Sequence, residues 1–595
     1  MPSLCRSRSE TPLARHALRL QSEEVVWAPR MLFPMYTLPL EDVLQMSSLV
    51  PHETLKSEGR LRQFEKRMGK AVFVSHQWAG KDHPDPTLEQ FSVFQGAMKR
   101  ILSELPQIPL ESITELTVSQ ARALPTHEFR SAQLFVWYDY FSCPQLENKG
   151  PLSQQAQAIA SIHAYVAECS FFFALCPFIF DPLTRPKPLD ASSWRQRGWC
   201  CLERTMRELG TEGDGWVLVQ SVMHIEVVVA TDAFYRPVGE GDFAVPEDKA
   251  KLGPVLAAAL KRKMLKALKD EDFVTYRIVR NLQSVHLRGV DVEPELDLVP
   301  GFVASGDESA ARVAEFFHQN GFSRIDEVDE AGFLPLHYAA LNGDPKLVKA
   351  LVKERADVCK TTRKGQPLLD APPWISALGL SIAFGHNEVA RLLIAAKAQV
   401  RERGLVPALT LAAGTNNVEG VRLLCAAGCD PRDANIMGVP PLETASWANS
   451  LPVLEELLGR EQRCSLSKVL HAAANSKQGG AEAARRLLEA KADIDEQYQV
   501  PWSMGGMLYF LGSLRYRLGK ITSATRRYYH LHGATPLMMA ILSANFETAW
   551  ILVSSGARVD LRNARNCSAA DLAREVGVPK ILQEALTGEV VFQRV

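Results

Sequence analysis

The sequence lacks any long uninterrupted apolar run. Its most apolar stretch, 166–180, is broken by Glu168 and Pro177 and falls short of the ~20 residues a membrane-spanning helix needs, so no membrane span is expected. Neither sign of charge is in excess: 67 Lys and Arg face 68 Asp and Glu, for a formal net charge of -1, and no overall field draws nucleic acid or anionic lipid. Such a partner would need a local patch. The eleven cysteines, scattered from Cys5 to Cys567, lack paired metal-ligand spacing, and no metal site is expected. An odd count without an apolar export leader implies reduced thiols and a cytoplasmic setting, with the nucleus open. Arg6, Arg8, Arg15 and Arg19 with only Glu10 acidic are loosely like a transit segment, so organelle targeting also stays open. Ordinary glycine and proline content, 37 and 35 residues, excludes collagen-like and low-complexity chains. What remains is a folded chain whose 595 residues imply several domains.

Repetition dominates the C-terminal half. Leu334-Pro335-Leu336-His337-Tyr338-Ala339-Ala340 is followed by the turn Asn342-Gly343-Asp344 and an apolar helix through Val348, Leu351 and Val352. With Leu336 as register mark, equivalent residues are Leu378, Leu409, Leu442, Leu470, Leu537 and, degenerately, Ala570. The pattern strongly resembles the ankyrin repeat, whose period is ~33 residues, and implies about seven units over 305–590. Each helix pair exposes an apolar face that only its neighbour covers, so an all-α solenoid with a concave, protein-binding side is expected.

One interval is about twice the period. Residues 497–532 form an insertion holding Trp502, Tyr509, Phe510, Arg515, Arg517, Lys520, Arg526, Arg527, Tyr528 and Tyr529. Arginine and tyrosine suit docking to an acidic or phosphorylated partner, whereas the structural alternative is an excursion that packs its own aromatics. Nucleic acid is not an expected partner.

The N-terminal half reads differently. Lys70 to His76, Leu134 to Asp139 and Ser170 to Cys176 are apolar runs with polar ends, and weaker runs cover 216–219 and 225–230. Helical patterns at 90–105, 154–168 and 200–209 lie between them. Such alternation implies an α/β domain with a parallel sheet, whose ligands gather at the carboxyl ends of the strands. Those ends carry Ser75, His76, Trp78 and Asp139.

The order strand-Ser75, helix, strand-Asp139, helix, strand 171–175 and then Trp199-Cys200-Cys201-Leu202-Glu203 resembles a Toll/interleukin-receptor (TIR) domain over about 68–225. The resemblance implies a TIR/flavodoxin-like fold and places Glu203 on the family's catalytic glutamate. Enzymatic members cleave the nicotinamide–ribose bond of NAD, so Glu203 would stabilise positive charge at the anomeric carbon, with Ser75, His76, Trp78, Asp139 and Trp199 lining the pocket. NAD would then be a substrate, and no cofactor is required. The first loop, 75–86, and the segment Trp137-Tyr138-Asp139-Tyr140 depart from the family pattern. The structural alternative gives Glu203 an ordinary pair with Arg207 at i+4.

Ser75-His76 and His83-Pro84-Asp85-Pro86 also suggest a Ser-His-Asp hydrolase, Cys143 near His163 a thiol nucleophile, and His76, His83, Asp85 and Asp139 a cation site. For Asp85 the plainer role is capping. The expected organisation is an N-terminal extension (1–67), a TIR-like domain (68–225), a helical connector (226–304) with a basic helix at 252–268, and the repeats (305–590). The expected function is a protein-interaction scaffold whose N-terminal domain signals or self-associates; the alternative is an NAD glycohydrolase governed by the array.

Overall fold

Apolar runs buried on both sides belong at the centre of a sheet, and in the computed structural model they are there. The structure describes residues 11–22, 29–118, 120–145, 153–181, 185–210, 215–229, 237–369, 371–401, 406–460, 466–476, 479–501 and 504–589. They fall into two units: 1–27 with 231–464, and 28–230 with 465–595. Both units cut across the expected boundaries.

The second unit is built on a seven-stranded sheet: β1 (Tyr36–Pro39), β2 (Arg62–Gln63), β3 (Lys70–His76), β4 (Leu134–Trp137), β5 (Phe171–Leu175), β6 (Trp216–Val219) and β7 (Ile225–Val228), in the order β7-β6-β5-β3-β4-β1-β2. The four central strands run parallel, with Val72 opposite Val136 and Phe171, whereas β7 and β1 are antiparallel to their neighbours. The sheet is therefore mixed, which corrects the expectation of a parallel one. Its flank comes from residues assigned to the extension, where β2 is followed by a single 3₁₀ turn, Lys66–Met68.

Side chains alternate across the sheet. On one face Val72, Val74, Val136 and Phe173 pack with Phe94, Met98 and Ile101 of helix α1 (Glu89–Ser103). On the other, Phe73 stacks on Trp137 at 4.3 Å and Phe172 at 5.3 Å, and helix α2 (Gly198–Glu208) packs against β3. The helix expected over 154–168 breaks into Gln154–Ala160 and Ile162–Glu168. Ser161 lies between them, and its hydroxyl accepts from the N–H groups of Leu32 and Phe33.

In the first unit, helix Pro12–Gln21 buries Leu13, Ala17 and Leu20 and packs against helix α3 (Pro246–Lys269). Part of the basic cluster of α3 is paired, Lys261 with Glu295 and Lys266 with Asp270. No helix among the described residues is long and apolar enough to cross a membrane.

Among the described residues, seven helix pairs carry the repeat signature. Four lie in the first unit: Pro335–Asn342 with Pro345–Lys353, Ala377–Ala383 with Asn387–Ala395, Ala408–Gly414 with Val418–Ala426, and Pro441–Trp447 with Leu451–Arg460. Three lie in the second: Val469–Ala474 with Ala481–Glu489, Pro536–Leu542 with Phe546–Ser554, and Ala569–Val576 with Lys580–Thr587. Every register residue from Leu336 to Ala570 is the second residue of a first helix. Second helices close by a recurrent six-to-one bond across a left-handed residue: Ala356 N to Leu351 O over Arg355, and Ala398 N to Leu393 O over Lys397. His337 joins fingers, accepting from Leu334 N at 3.0 Å and bonding Lys360 O at 3.1 Å through its other nitrogen. Burial pushes its pKa down to about 4, so the imidazole is neutral there.

Candidate functional site

The carboxyl ends of the neighbouring strands β3 and β4 bring together most of the residues singled out from the sequence. Helix α2 adds Glu203 from below. Ser75 Oγ donates to Glu203 Oε2 at 2.5 Å and accepts from Trp194 Nε1 at 3.0 Å. Glu203 as a whole residue is 9% exposed. Burial first, and then the Asp139 charge, push its pKa up to about 8 against the opposing effects of Ser75 and His76, so it is protonated at neutral pH.

A second cluster runs parallel to the first. His76 Nε2 meets Asp139 Oδ1 at 2.8 Å, and Trp78 Nε1 donates to Asp139 Oδ2 at 2.6 Å. The His76 ring stacks on Tyr138 with centroids 4.0 Å apart. Burial opposes the charged imidazole, but the Asp139 carboxylate outweighs it, so the His76 pKa is raised and that of Asp139 is lowered. The pair is a salt bridge half-shielded from water.

This wiring bears on each chemistry the sequence suggested. His76 turns to Asp139 and Ser75 to Glu203, so no hydroxyl-to-imidazole relay connects the triad candidates. Burial pushes the Cys143 thiol far up, leaving too little thiolate for a nucleophile. Asp85 accepts from Phe91 N at 2.8 Å at the start of α1, the capping role. Trp199 is half-buried on the first turn of α2. The expected Glu203–Arg207 pair is replaced by other partners: Arg207 donates to the carbonyls of Gly215, Cys169 and Ser170, each at 3.1 Å.

Two cavities lie elsewhere in this unit. A small one of about 50 Å³ is lined by Asp190, Arg195, His224, Glu226 and Arg527, and one of about 620 Å³ by Arg100, Glu115, Arg122, His224, Lys520 and Arg526. His224 and Glu226, 3.2 Å apart and buried, border both. Most cations here already have partners: Lys520 meets Glu115 at 3.3 Å, Arg526 meets Glu575 at 3.0 Å, and Arg100 donates to the carbonyls of Val222 and Met223. The larger cavity carries four Arg and Lys side chains against Glu115 and Glu226. Neither cavity is lined by Ser75, Trp78, Asp139 or Glu203.

Sequence reasoning missed two features. Gln77 Nε2 donates to Asp190 O and Ser193 Oγ, each at 3.0 Å, and so fixes the loop after β3. Trp374, in the finger before the second repeat, is 63% exposed and has φ of 66°, which a bulky side chain seldom adopts. Bridges Thr361 to Ser376 and Gln366 to Ala371 brace that finger. The long separation between Leu336 and Leu378 is the sequence signal of this extra length.

Known proteins speak to the repeats. Residues 336–435 match the family model described as ankyrin repeats (3 copies), and 532–564 match the one described as ankyrin repeat. These segments are ankyrin repeats. A solved structure similar to the chain is the ankyrin repeat domain of human ASB11, at 18% identity and a TM-score of 0.26, over 48% of this chain and 98% of that one. No curated protein matches.

Proposed function

We propose that the chain is an interaction scaffold, the role that ankyrin repeats imply, whose first four repeats capture a protein partner, with the finger 361–376 at the centre of the contact. The observation that supports this most is Trp374, a large aromatic held exposed at strained backbone on a braced finger. Exposed tryptophans are favoured anchors of protein interfaces. The experiment is capture of a partner by the full chain and by Trp374→Ala, with equal thermal stability as the control. A fall of tenfold or more, the size of effect expected of an interface anchor, supports the reading; undiminished capture refutes it.

The α/β unit is proposed to serve signalling or self-association. A second reading, NAD glycohydrolysis of the TIR type, draws on the convergence of Ser75, Asp139 and Glu203 at the carboxyl ends of β3 and β4. Its weakness is chemical: a carboxyl protonated at pH 7 and bonded to Ser75 offers no negative charge to an oxocarbenium ion. Release of nicotinamide from NAD by the full chain, abolished in Glu203→Gln, would establish that reading over the first.

A further inference from the structure

Helix α4 (Met504–Arg517), in the insertion, is built inside out. A helix seated on a protein core turns its large apolar residues inward. Here the side packed on helix α5 (Ser523–His530) carries Gly505, Gly506, Tyr509, Gly512, Ser513 and Tyr516, all buried or half-buried. Gly512 is required there, because an added Cβ would come within 2.1 Å of the Tyr528 ring. The opposite side is apolar and in water: Met507 is 64% exposed, Phe510 68% and Leu518 77%, with Leu511, Leu514 and Ile521 also exposed.

Charge is arranged around this stripe. At 3.6 residues per turn, Arg515 and Arg517 fall on its two flanks. Neither is in an ion pair among the described residues, whereas Lys520 and Arg526 nearby are. Residues 497–546 contain no Asp or Glu at all. The apolar arc, which takes in Phe510 and Leu508 besides the central row, is broader than a coiled-coil seam. Like charges on both flanks disfavour a second copy of the same face. A helix of 14 residues is also too short to span a bilayer.

We propose that α4 docks the protein on an anionic lipid surface, lying in the plane of the interface with Met507, Phe510, Leu511, Leu514 and Leu518 among the acyl chains and Arg515 and Arg517 at the headgroup phosphates. Apolar depth and basic flanks together are what such a helix needs.

The test is co-sedimentation of the full chain with phosphatidylcholine vesicles and with mixed phosphatidylcholine and phosphatidylserine vesicles. Binding is expected to the mixed vesicles and to weaken with added salt. Arg515→Gln and Arg517→Gln should each lower the partition coefficient about fivefold, the equivalent of ~1 kcal/mol per basic residue at the surface. Phe510→Ser with Leu514→Ser should abolish binding, and because both residues are exposed the melting temperature should stay unchanged. Absence of binding to mixed vesicles, or binding indifferent to both sets of substitutions, overturns the proposal. So does a dimer in sedimentation equilibrium that dissociates in the Phe510→Ser, Leu514→Ser variant, since a second copy would then cover the face.

Discussion

Ser75 and Glu203, 128 residues apart, meet through a buried 2.5 Å hydrogen bond from the hydroxyl to the carboxyl. Trp194 donates to the same hydroxyl, so one serine oxygen ties a strand end to α2 and to the helix before it. Ser75→Ala would leave a buried carboxyl oxygen and an indole N–H without partners, at a cost of about 1–3 kcal/mol for each orphaned group. Urea unfolding should show that loss, and a loss below about 0.5 kcal/mol would contradict it.

Glu203 makes stability depend on pH. Its pKa is about 8 in the folded chain against 4.5 ordinarily. Below pH 4.5 both states hold the proton and nothing is lost. As pH rises toward 8 the unfolded chain ionises first, so native stability falls, and it levels off above 8. Glu203→Gln keeps the acceptor for Ser75 and removes the titration. It should stabilise the protein at pH 8 by about 2–5 kcal/mol relative to wild type and change little at pH 4. Equal effects at both pH values would contradict this.

The His76–Asp139 pair acts in its own window. Asp139 is held low and His76 high, so the pair stabilises between the range where the carboxylate gains its proton and the range where the imidazole loses one. Asp139→Asn should destabilise in that window by about 2–4 kcal/mol, leaving the buried imidazole uncompensated. The His76 ring resonance should then titrate at a lower pH; an unmoved titration would sink the account of the pair.

Gly512→Val should pry α4 from α5, because even one Cβ has no room beside Tyr528. Tyr509 and Tyr528, whose rings are 5.1 Å apart, should then exchange more freely with solvent. The expected signature is faster hydrogen exchange across 504–530 with the repeat helices unaffected; protection equal to wild type would contradict it.

How much of this was legible beforehand depended on the range of the signal. The repeats were readable because register residue, turn and second helix recur within one period, and each mark from Leu336 to Ala570 sits at the same helix position. The central strands were readable because Val72 to Val74 and Phe171 to Phe173 are apolar on both faces. β1 was not: four residues ending in Pro39 carry no periodicity, and only pairing of Leu38 with Val136 makes them a strand. Ser75 was legible as a strand end and Glu203 entered through family resemblance, but their contact was not, since nothing local joins residues so far apart. Arg207 was misassigned to Glu203 because helical spacing ignores the carbonyls of Cys169, Ser170 and Gly215, which chain folding brings within reach.

The most direct test of the scaffold account is hydrogen exchange of the full chain with and without the protein it captures. Protection concentrated on 361–376 around Trp374 and on the neighbouring repeat helices is the predicted result. Protection at the strand ends bearing Ser75, His76 and Asp139, with the finger unchanged, would contradict it.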